Sequence, residues 1–435
     1  MHNAIRVAAL LSAIACPVLL AHASVETEGF VITSTYPPDH LFSEIGPPQM
    51  PDAHAAPGTA VFWDVTLNQT LLSSLPSSLV LNLPDHAPVT LSMDQAQARG
   101  LGAHVWGGRG GDCSAVFTAA DGRLLGDISC INGPYTLRMT ASDTRLSFFV
   151  YPPAPAGFDE DVAVLGAGTN LPAGECEPQQ SPGGSPNLDV LILYNAAVRQ
   201  EIVNEGLNPQ LEMQAIMDSV EQAMINSRSA DAQTPDVNLV HAQEIAYAAT
   251  GSLDADLDYL RDPGAVPVAL RDQYGADVVM LVRKDDWQGY CGKAYTPGYG
   301  GAPLPGSAFA PLAVGVTVRT CGFAKYPFHH EFAHILGANH SETASNPTPL
   351  RCWAYAHYRN STKHGAARTL VSNREPCGTL CAEVLNYSNA DISVDWFQTG
   401  VPEEAENARV IAEFSPAAAA YGDSIDQIFA NGFDF

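Results

Sequence analysis

The sequence predicts two regions of different fold class, an all-β region followed by an α/β (α+β) domain. Residues 24–173 alternate short apolar runs with Gly, Pro, Asp and Asn, which is typical of strands separated by turns. Residues 174–186, GECEPQQSPGGSP, have the composition of a linker. Over residues 187–420 apolar strands alternate with segments of helical periodicity, so we predict a mixed, mostly parallel sheet packed against helices.

The strands of the β region are predicted from five apolar runs: SSLVLNL, APVTLSM, SAVFTAADGRLLGDISC, GPYTLRM and RLSFFVY. The third run contains Asp121-Gly122, a strong signal for a hairpin. The pattern favours a sandwich or a small barrel. Residue types that carry out catalysis are not concentrated in this region.

The elements of the second region follow in order along the chain. LDVLILY predicts a strand buried on both faces, and NPQLEMQAIMDSVEQAMINS predicts a long helix. VNLVHA and ADVVMLV predict two more strands, while SLDADLDYL and PVALRDQYG predict helices, the first capped by Ser252 and the second ending at Gly275. PLAVGVTVRT alternates in hydrophobicity, which predicts a half-exposed edge strand around Val314–Val318.

The N-terminus has the three parts of a secretory signal. MHNAIR supplies a short basic start with Arg6, VAALLSAIACPVLL is an apolar stretch too short to span a bilayer, and AHA precedes Ser24 as a cleavage site. We predict a signal peptide over residues 1–23, export to the extracellular space or the periplasm, and cleavage after Ala23. A buried N-terminal helix and a lipoprotein signal at Cys16 are the alternatives, and both fit the pattern less well.

The composition describes a globular protein, because 46% of the residues are hydrophobic and 16% are charged. The formal net charge of -26 is spread along the chain, which argues against nucleic acid and anionic membranes as partners. The sequence after the signal predicts no membrane span. Residues 421–435 form a C-terminal tail, and the oligomeric state is left open.

The cysteine count predicts disulfides. The chain has nine cysteines, and removal of Cys16 with the signal leaves an even number in an exported protein. Zinc binding by Cys377 and Cys381 is the competing interpretation, but a C-x3-C pair without a second pair is a weak metal signal. Cys176 stands alone between the groups, where it would form a disulfide or act as a cysteine switch.

The stretch HHEFAHILGANH contains the pattern His-Glu-x-x-His-x-x-Gly-x-x-His. A helix presents His330 and His334 on one face, since they are four residues apart. Gly337 permits a left-handed turn that stops the helix, so His340 can return as a third ligand. Three nitrogen ligands leave one position open for water, which is the arrangement of a catalytic zinc site.

Glu331 lies beside the predicted zinc but is not aimed at it, so we assign it as the general base. With 13 His and 36 Gly in 435 residues, the five fixed positions coincide by chance on the order of 1 time in 10,000. The zinc interpretation is therefore preferred to a cluster without metal. His329 matches no ligand spacing, and we predict that it lies on the surface or behind the ligands.

The complete motif is the signature of the metzincin zinc proteases, which the chain resembles over most of residues 187–420. It is most similar to the reprolysin-like bacterial branch, which includes the peptidyl-Asp metalloendopeptidases, through LILYNAAVRQ, YLRDPGAVPVALRDQYGADVVMLV, CGKAY, LNYSNADI and ENARV. The β region is similar to propeptides of that branch through VWGGRGGDCSAVFTAADGRLLGDI and GPYTLRM.

The resemblance implies a secreted zinc endopeptidase that is made as a zymogen and acts on proteins or peptides. It implies a metzincin-type catalytic domain with a zinc-binding helix, and removal of an all-β propeptide that runs from residue 24 to about residue 175. It also implies that the strand around Val314–Val318 pairs with an extended substrate peptide. The preferred cleavage site is left open.

The sequence departs from the metzincin pattern at one position. Metzincins carry a methionine in a tight turn beneath the zinc, but this chain has no methionine after Met280. RTLVSN stands where that turn is expected, so Val371 takes the place of the methionine and Asn373 the place of a metal-binding tyrosine found in some relatives. The methionine is not a ligand, so the zinc site is complete without it.

Two other functions fit parts of the sequence. One is an exported pseudoprotease that holds zinc without turnover, and the other is a binding protein whose β region is a permanent adhesion or carbohydrate-binding module. The intact set of Glu331 and the three histidines favours the active peptidase over the first of these. The N-terminal sequence of the exported protein distinguishes the second.

Overall fold

A nine-stranded antiparallel sheet forms the N-terminal part of the described residues in the computed structural model. The structure describes residues 37–51, 59–68, 71, 74–84, 86–99, 102–150, 162–163, 186–284, 290–299, 302–321, 325–342, 349–372 and 381–422. All of them belong to one compact unit, residues 34–435.

The strands of the first sheet have the spatial order β1-β2-β9-β8-β7-β6-β5-β4-β3. They are β1 (Phe42–Ile45), β2 (Thr59–Leu67), β3 (Ser78–Leu81), β4 (Val89–Ala98), β5 (His104–Gly110), β6 (Cys113–Ala120), β7 (Arg123–Cys130), β8 (Gly133–Met139) and β9 (Thr144–Phe149). The predicted hairpin joins β6 to β7, with φ of 51° at Asp121 and 70° at Gly122.

The two ends of this sheet lie next to each other. The amide of Leu41, just before β1, donates to the carbonyl of Val80 in β3 at 2.8 Å, and the amide of Val80 donates to Asp39 at 2.9 Å. The side chain of Asn82 also bonds both backbone groups of Phe42. The sheet is thereby curled towards a barrel, which agrees with the predicted all-β region.

The second sheet has the order β10-β14-β15-β13-β11-β12. Its strands are β10 (Val162–Ala163), β11 (Asn187–Tyr194), β12 (Asp236–Glu244), β13 (Val278–Arg283), β14 (Gly292–Tyr295) and β15 (Val314–Val318). Four of the strands, β11, β12, β13 and β15, run in parallel, while β14 runs antiparallel to β15 and β10 is parallel to β14. The predicted mixed, mostly parallel sheet is present.

The strand around Val314–Val318 is not an edge strand, which corrects the sequence prediction. It lies between β13 and β14, and every one of its residues is buried. The alternating hydrophobicity of this segment predicts one exposed face because Gly315 and Thr317 take the polar positions of the pattern. Gly315 instead packs where an added Cβ would lie 2.8 Å from the sulfur of Met280, and Thr317 is covered as well.

Six helices occur among the described residues: α1 (Ala196–Asn204), α2 (Pro209–Asn226), α3 (Leu253–Arg261), α4 (Val266–Tyr274), α5 (Pro327–Ile335) and α6 (Asn407–Ala418). Their ends follow the sequence signals. The side chain of Asn208 caps α2 by accepting from the amide of Gln210, and Ser252 caps α3 by accepting from Ala255. Gly275 ends α4 at a φ of 61°.

The core of the second region lies between this sheet and its helices, and all six residues of β13 are buried in it. Helix α2 contacts β12 of the second sheet and also β5, β6 and β7 of the first. The remaining strands form small sheets: β16 (Tyr358–Ser361), β17 (Gly365–Arg368), β18 (Cys381–Glu383), β19 (Ser393–Val394) and β20 (Phe397–Gln398).

The prediction of disulfides is confirmed. Cys113 bonds Cys130 and Cys291 bonds Cys321, while Cys352 and Cys381 are also disulfide-bonded. Oxidation of Cys381 excludes the alternative of a zinc site that uses this thiolate. Cys176, Cys377, the signal peptide, the linker up to residue 185 and the tail from residue 423 lie outside the described residues.

Within the described parts of the chain, the helices are too short or too polar to cross a bilayer.

Candidate metal centre

Helix α5 carries the first part of the histidine motif. It begins with Pro327 at its first turn, where the missing amide hydrogen is tolerated, and it is buried along most of its length. His330 and His334 are one turn apart, and their ring centroids are separated by 4.8 Å. The predicted helix therefore places both imidazoles on one face.

Gly337 turns the chain at the end of α5, as the sequence predicts. Its φ is +86°, and an added Cβ would lie 2.5 Å from Phe414 of α6. The turn is closed by the amide of Ala338, which donates to the carbonyl of Ala333 at 3.0 Å. Both the backbone conformation and the contact with α6 require glycine here, and the turn brings His340 back to the helix.

The three histidines converge through their Nε2 atoms. The Nε2 of His340 is 2.9 Å from that of His330 and 3.1 Å from that of His334. His334 donates its Nδ1 hydrogen to the carbonyl of Ala338 at 2.9 Å, so its Nε2 presents a lone pair to the other two rings. His334 and His340 are buried and His330 is half-buried.

This donor set fits zinc. Three imidazole nitrogens at zinc–nitrogen distances of about 2.0–2.1 Å in a tetrahedral arrangement are separated by roughly 3.3 Å. The two nitrogen–nitrogen distances in the structure are slightly shorter, so a small outward movement of the rings would accommodate the ion. Imidazole also suits zinc chemically.

Glu331 is buried next to strand β14. An added Cβ on Gly292 would lie 2.5 Å from Oε1 of Glu331 and 2.4 Å from its Cγ, so the glutamate rests directly on the backbone of that strand. The exposed fraction of Glu331 is 1%. The carboxylate of Glu331 is thus held between α5 and β14. Any side chain larger than that of glycine at position 292 would displace it.

Residues 211–341 match the family model of the reprolysin-like metallopeptidases, described as Metallo-peptidase family M12B Reprolysin-like. The match ends one residue after His340, so it contains the whole motif. The chain carries a reprolysin-like metallopeptidase domain. This match confirms the predicted resemblance to reprolysin-like metallopeptidases and the predicted enzyme class, a metalloendopeptidase.

Two solved structures resemble this metallopeptidase at low similarity. Metalloproteinase-II from Bacteroides fragilis has 12% sequence identity and a TM-score of 0.42, and the alignment covers 76% of this chain and 92% of that one. A chaperone-substrate complex has 14% identity and a TM-score of 0.40, with 68% of this chain and 39% of that chain covered, so this chain spans about two fifths of its length. Neither similarity is close enough to carry an argument. No curated protein sequence matches the chain.

The backbone before His340, the third predicted ligand, is held by a residue that the sequence does not single out. Asn407, the first residue of α6, accepts from the amide of Asn339 at 3.1 Å and donates to its carbonyl at 2.7 Å. This pair of bonds fixes the backbone directly before His340. The one sequence signal is the run ENARV, which resembles the reprolysin-like branch and contains Asn407. That run does not reveal the role of Asn407.

His329 is buried, with an exposed fraction of 4%, so the alternative of a surface position is wrong. Its Nε2 lies 2.9 Å from the hydroxyl of Ser219 on α2, and that hydroxyl donates to Asp127 at 2.7 Å. The hydroxyl must therefore accept the Nε2 hydrogen of His329. Burial lowers the pKa of His329 to about 4, which keeps the ring neutral at physiological pH.

Asp127 connects the first sheet to the start of α5. It belongs to β7, and its Oδ1 lies 3.1 Å from Nζ of Lys325 and accepts from the hydroxyl of Tyr326 at 3.3 Å. Together with its bond to Ser219, the carboxylate reaches both the residues before α5 and the helix α2 behind it. Sequence reasoning missed this residue because an aspartate inside a predicted strand has no distinctive spacing.

The turn predicted to replace the methionine turn is present. The amide of Ser372 donates to the carbonyl of Thr369 at 3.3 Å, and Val371 has a φ of 68°. Val371 is fully buried in the cluster that also contains Phe332 of α5. A β-branched residue at positive φ is strained by about 1–3 kcal/mol, so packing must hold it there. Asn373 lies outside the described residues.

Proposed function

We propose that this chain is a secreted zinc endopeptidase that is made as a zymogen. The observation that carries the proposal is the convergence of three imidazole Nε2 atoms beside the buried carboxylate of Glu331. His330, His334 and His340 are the zinc ligands. The catalytic domain has the metzincin arrangement, in which the ligand helix lies under a mixed sheet and the third ligand follows a glycine turn.

His330, His334 and His340 would hold a zinc ion that would supply a Lewis acid for the scissile carbonyl and lower the pKa of water. Glu331 accepts the proton of the attacking water and passes it to the leaving amine. Its position against Gly292 fixes the carboxylate, since the backbone of β14 leaves no room for a side chain between them. Burial of Glu331 strengthens the electrostatic contacts of its carboxylate.

The substrate peptide pairs with β14, which replaces the strand around Val314–Val318 in this role. β14 would be the edge of the sheet without β10, and its first residue, Gly292, touches Glu331. An extended peptide added to that edge would run past the general base. Main-chain hydrogen bonds of this kind bind peptides of many sequences, which suits an endopeptidase.

The pairing of β10 supports a zymogen. Val162 pairs with Ala294 and Ala163 pairs with Tyr295, so a segment between the first sheet and the linker already occupies the edge of β14. A substrate peptide and this segment would compete for the same backbone groups. Removal of residues 24–173, with a cut in the linker 174–186, would free the edge of the domain 187–420.

The face of α2 that meets the first sheet also supports a removable region. Asp218 bonds Arg99 and Thr118, Glu221 bonds Arg99, and Gln222 bonds Gln95. These side chains are buried while the two regions are in contact, yet each is readily hydrated once exposed. A permanent module would favour a more apolar contact, as obligate interfaces have.

The alternative function is an exported pseudoprotease or binding protein with a permanent β module. Zinc would then be held without turnover, and the β region would stay attached. The export itself is proposed from the signal sequence of residues 1–23. Activity, zinc content and the N-terminus of the exported protein separate these possibilities.

The first test compares Glu331→Gln with His334→Ala. The parent protein should contain about one zinc per chain. Glu331→Gln should keep the zinc and lose peptidase activity by about 10²–10⁴-fold, because the proton acceptor is removed while the ligands remain. His334→Ala should lose both zinc and activity. Cleavage of casein by Glu331→Gln at close to the parent rate would contradict the assigned mechanism.

The second test concerns maturation. Exported active enzyme should begin within the linker 174–186, because exposed polar segments are preferred sites of nicking. In the unprocessed chain, Ala163→Pro should raise activity on a short peptide, since proline cannot donate to the ladder between β10 and β14. Ala163→Val is the matched control and should stay inactive. Active enzyme that still begins near Ser24 would rule out removal of the β region.

A further inference from the structure

A second cluster of metal-ligand residues lies at the end of the β6–β7 hairpin. Cys113 begins β6 and Cys130 ends β7, and the two residues are directly opposite each other in the sheet. Asp112 precedes Cys113, and His86 lies in the segment between β3 and β4. Both sulfur atoms are buried, and the side chains of His86 and Asp112 are 10% and 22% exposed.

Electron-rich atoms of these residues point at one another. Nε2 of His86 is 2.9 Å from Oδ2 of Asp112 and 3.8 Å from Sγ of Cys113. Sγ of Cys113 is also 3.7 Å from Oδ1 of Asp112. Nδ1 of His86 lies 2.6 Å from the carbonyl of Ala87 and donates its hydrogen there. Because a carboxylate can only accept, Nε2 donates its hydrogen to Oδ2 of Asp112, and a metal bound at Nε2 would replace that hydrogen.

We propose that His86, Asp112, Cys113 and Cys130 bind a zinc ion when the Cys113–Cys130 disulfide is reduced. Tetrahedral zinc with bonds of about 2.3 Å to sulfur and 2.0–2.1 Å to nitrogen or oxygen separates sulfur from nitrogen or oxygen by roughly 3.6 Å. The distances of 3.8 and 3.7 Å from Cys113 to His86 and Asp112 already match this value. Reduction lets the two sulfur atoms move apart, and the 2.9 Å between Nε2 of His86 and Oδ2 of Asp112 must lengthen to roughly 3.3 Å for zinc to enter.

Electrons and protons balance when the form with the Cys113–Cys130 disulfide is converted to the form that binds zinc. A dithiol reductant gives two electrons to the disulfide, becomes a cyclic disulfide itself, and leaves thiols on Cys113 and Cys130. Each thiol gives up its proton when zinc binds, the hydrogen on Nε2 of His86 leaves as well, and Asp112 binds through its carboxylate. The product is zinc held by two thiolates, one carboxylate and one imidazole.

The ion and the disulfide are alternative links between the same two strands. In a reducing compartment zinc would connect the start of β6 to the end of β7, and in an oxidising compartment the disulfide does so. The hairpin would keep its register in both. The site is separate from the three-histidine centre, and its occupancy does not depend on whether that centre is catalytic.

The experiment uses the whole chain, reduced by a dithiol and then separated from it without oxygen, and cobalt(II) as the probe. Cobalt bound to thiolates gives a charge-transfer absorption in the near ultraviolet that cobalt bound to three histidines does not give. The reduced chain should show this absorption and bind one more zinc than the oxidised chain. His86→Ala and Asp112→Asn should each weaken that additional ion at least ~10-fold, since a lost ligand costs no less than a disturbed support.

Matched cysteine variants identify the thiolates. Cys113→Ser with Cys130→Ser should abolish the absorption, whereas Cys291→Ser with Cys321→Ser should keep it. Circular dichroism checks that each reduced variant is folded, and the comparison of reduced with oxidised parent needs no substitution. Absence of the absorption in the folded reduced parent overturns the site. Its persistence in the Cys113 and Cys130 variant, or unchanged affinity in both His86→Ala and Asp112→Asn, overturns the ligand assignment.

Discussion

His329 and His330 are neighbours in the sequence, but their side chains serve different faces of helix α5. The ring of His330 meets His340 at 2.9 Å and takes part in the metal centre. The ring of His329 is buried and donates to Ser219 on α2, which in turn donates to Asp127 of the first sheet. One helix therefore presents the proposed ligands on one face and is hydrogen-bonded through Ser219 to the β region on another.

The comparison teaches that the motif describes only one of these faces. Spacing of four residues selects the ligands because a metal needs several donors at one point. The face that carries His329 needs a hydrogen-bond partner on a different element. No local spacing encodes a partner that is more than a hundred residues away. Substitutions on the two faces should accordingly separate metal binding from stability.

The largest expected effect comes from His330→Ala. We expect zinc to fall well below one ion per chain and activity to fall by more than the ~10–100-fold typical of residues that support ligands. The matched variant His329→Ala should keep its zinc but lower the free energy of unfolding by roughly 1–3 kcal/mol, because the hydroxyl of Ser219 loses its donor in a buried site. Metal analysis and urea unfolding measure the two. If both variants lost zinc to the same extent, the two faces of α5 would not have separate roles.

The next effect concerns the connection between the two regions. Asp127→Ala removes the acceptor of Ser219 and Tyr326 and the partner of Lys325, so the unprocessed chain should lose roughly 1–3 kcal/mol of unfolding free energy. Ser92→Ala is the control, since Ser92 is an exposed residue in strand β4 of the same sheet. Equal stability of parent and Asp127→Ala in urea would mean that the contacts of Asp127 do not hold the β region to α5.

Local signals of the sequence predicted much of this molecule. The hairpin at Asp121-Gly122, the cap at Ser252, the stop at Gly275 and the turn at Gly337 are each fixed by the conformational limits of one or two residues. The ligand set followed from helical geometry in the same way. All of these depend on residues within about ten positions of one another.

The features that the sequence did not predict depend on distant partners. The order of the second sheet decides that Val314–Val318 is internal and that only the short strand β10 covers the outer side of β14, and alternation along one strand cannot reveal its neighbours. The role of Asn407 requires α6 to meet the segment before His340. The burial of His329 requires α2 and the first sheet to cover α5.

Val371→Met should have a smaller effect on the metal face. Val371 is strained at a φ of 68°, and an unbranched side chain at this position relieves crowding at Cβ and extends further towards the core. The turn connects to α5, because Leu370 donates to the carbonyl of Asn386 and the next residue, Tyr387, donates to the carbonyl of His329. Firmer support should slow zinc loss to a chelator by about 10-fold. Leu370→Met is the control, and an equal or faster loss in Val371→Met would show that another residue already fills the space.

The smallest effect should be a change in how stability depends on pH. Burial raises the pKa of Asp94, at the contact with α2, despite the opposing influence of Arg109 and of a hydrogen bond from Gln222. A raised pKa in the folded state means that the stabilising contribution is complete below the unfolded value of 3.8 and is lost as pH rises through the folded value. Asp94→Asn cannot ionise, so its unfolding free energy should rise relative to that of the parent between about pH 4 and pH 7. The measurement is urea unfolding of both proteins across that range, with Asp64→Asn as the control, because the side chain of Asp64 is 61% exposed and that of Asp94 is 16% exposed. The difference in unfolding free energy between the two proteins could instead stay constant with pH or shift in favour of the parent. Either result would mean that Arg109 and Gln222 outweigh burial at this contact. An ionised carboxylate would then join the two regions at no net cost in stability.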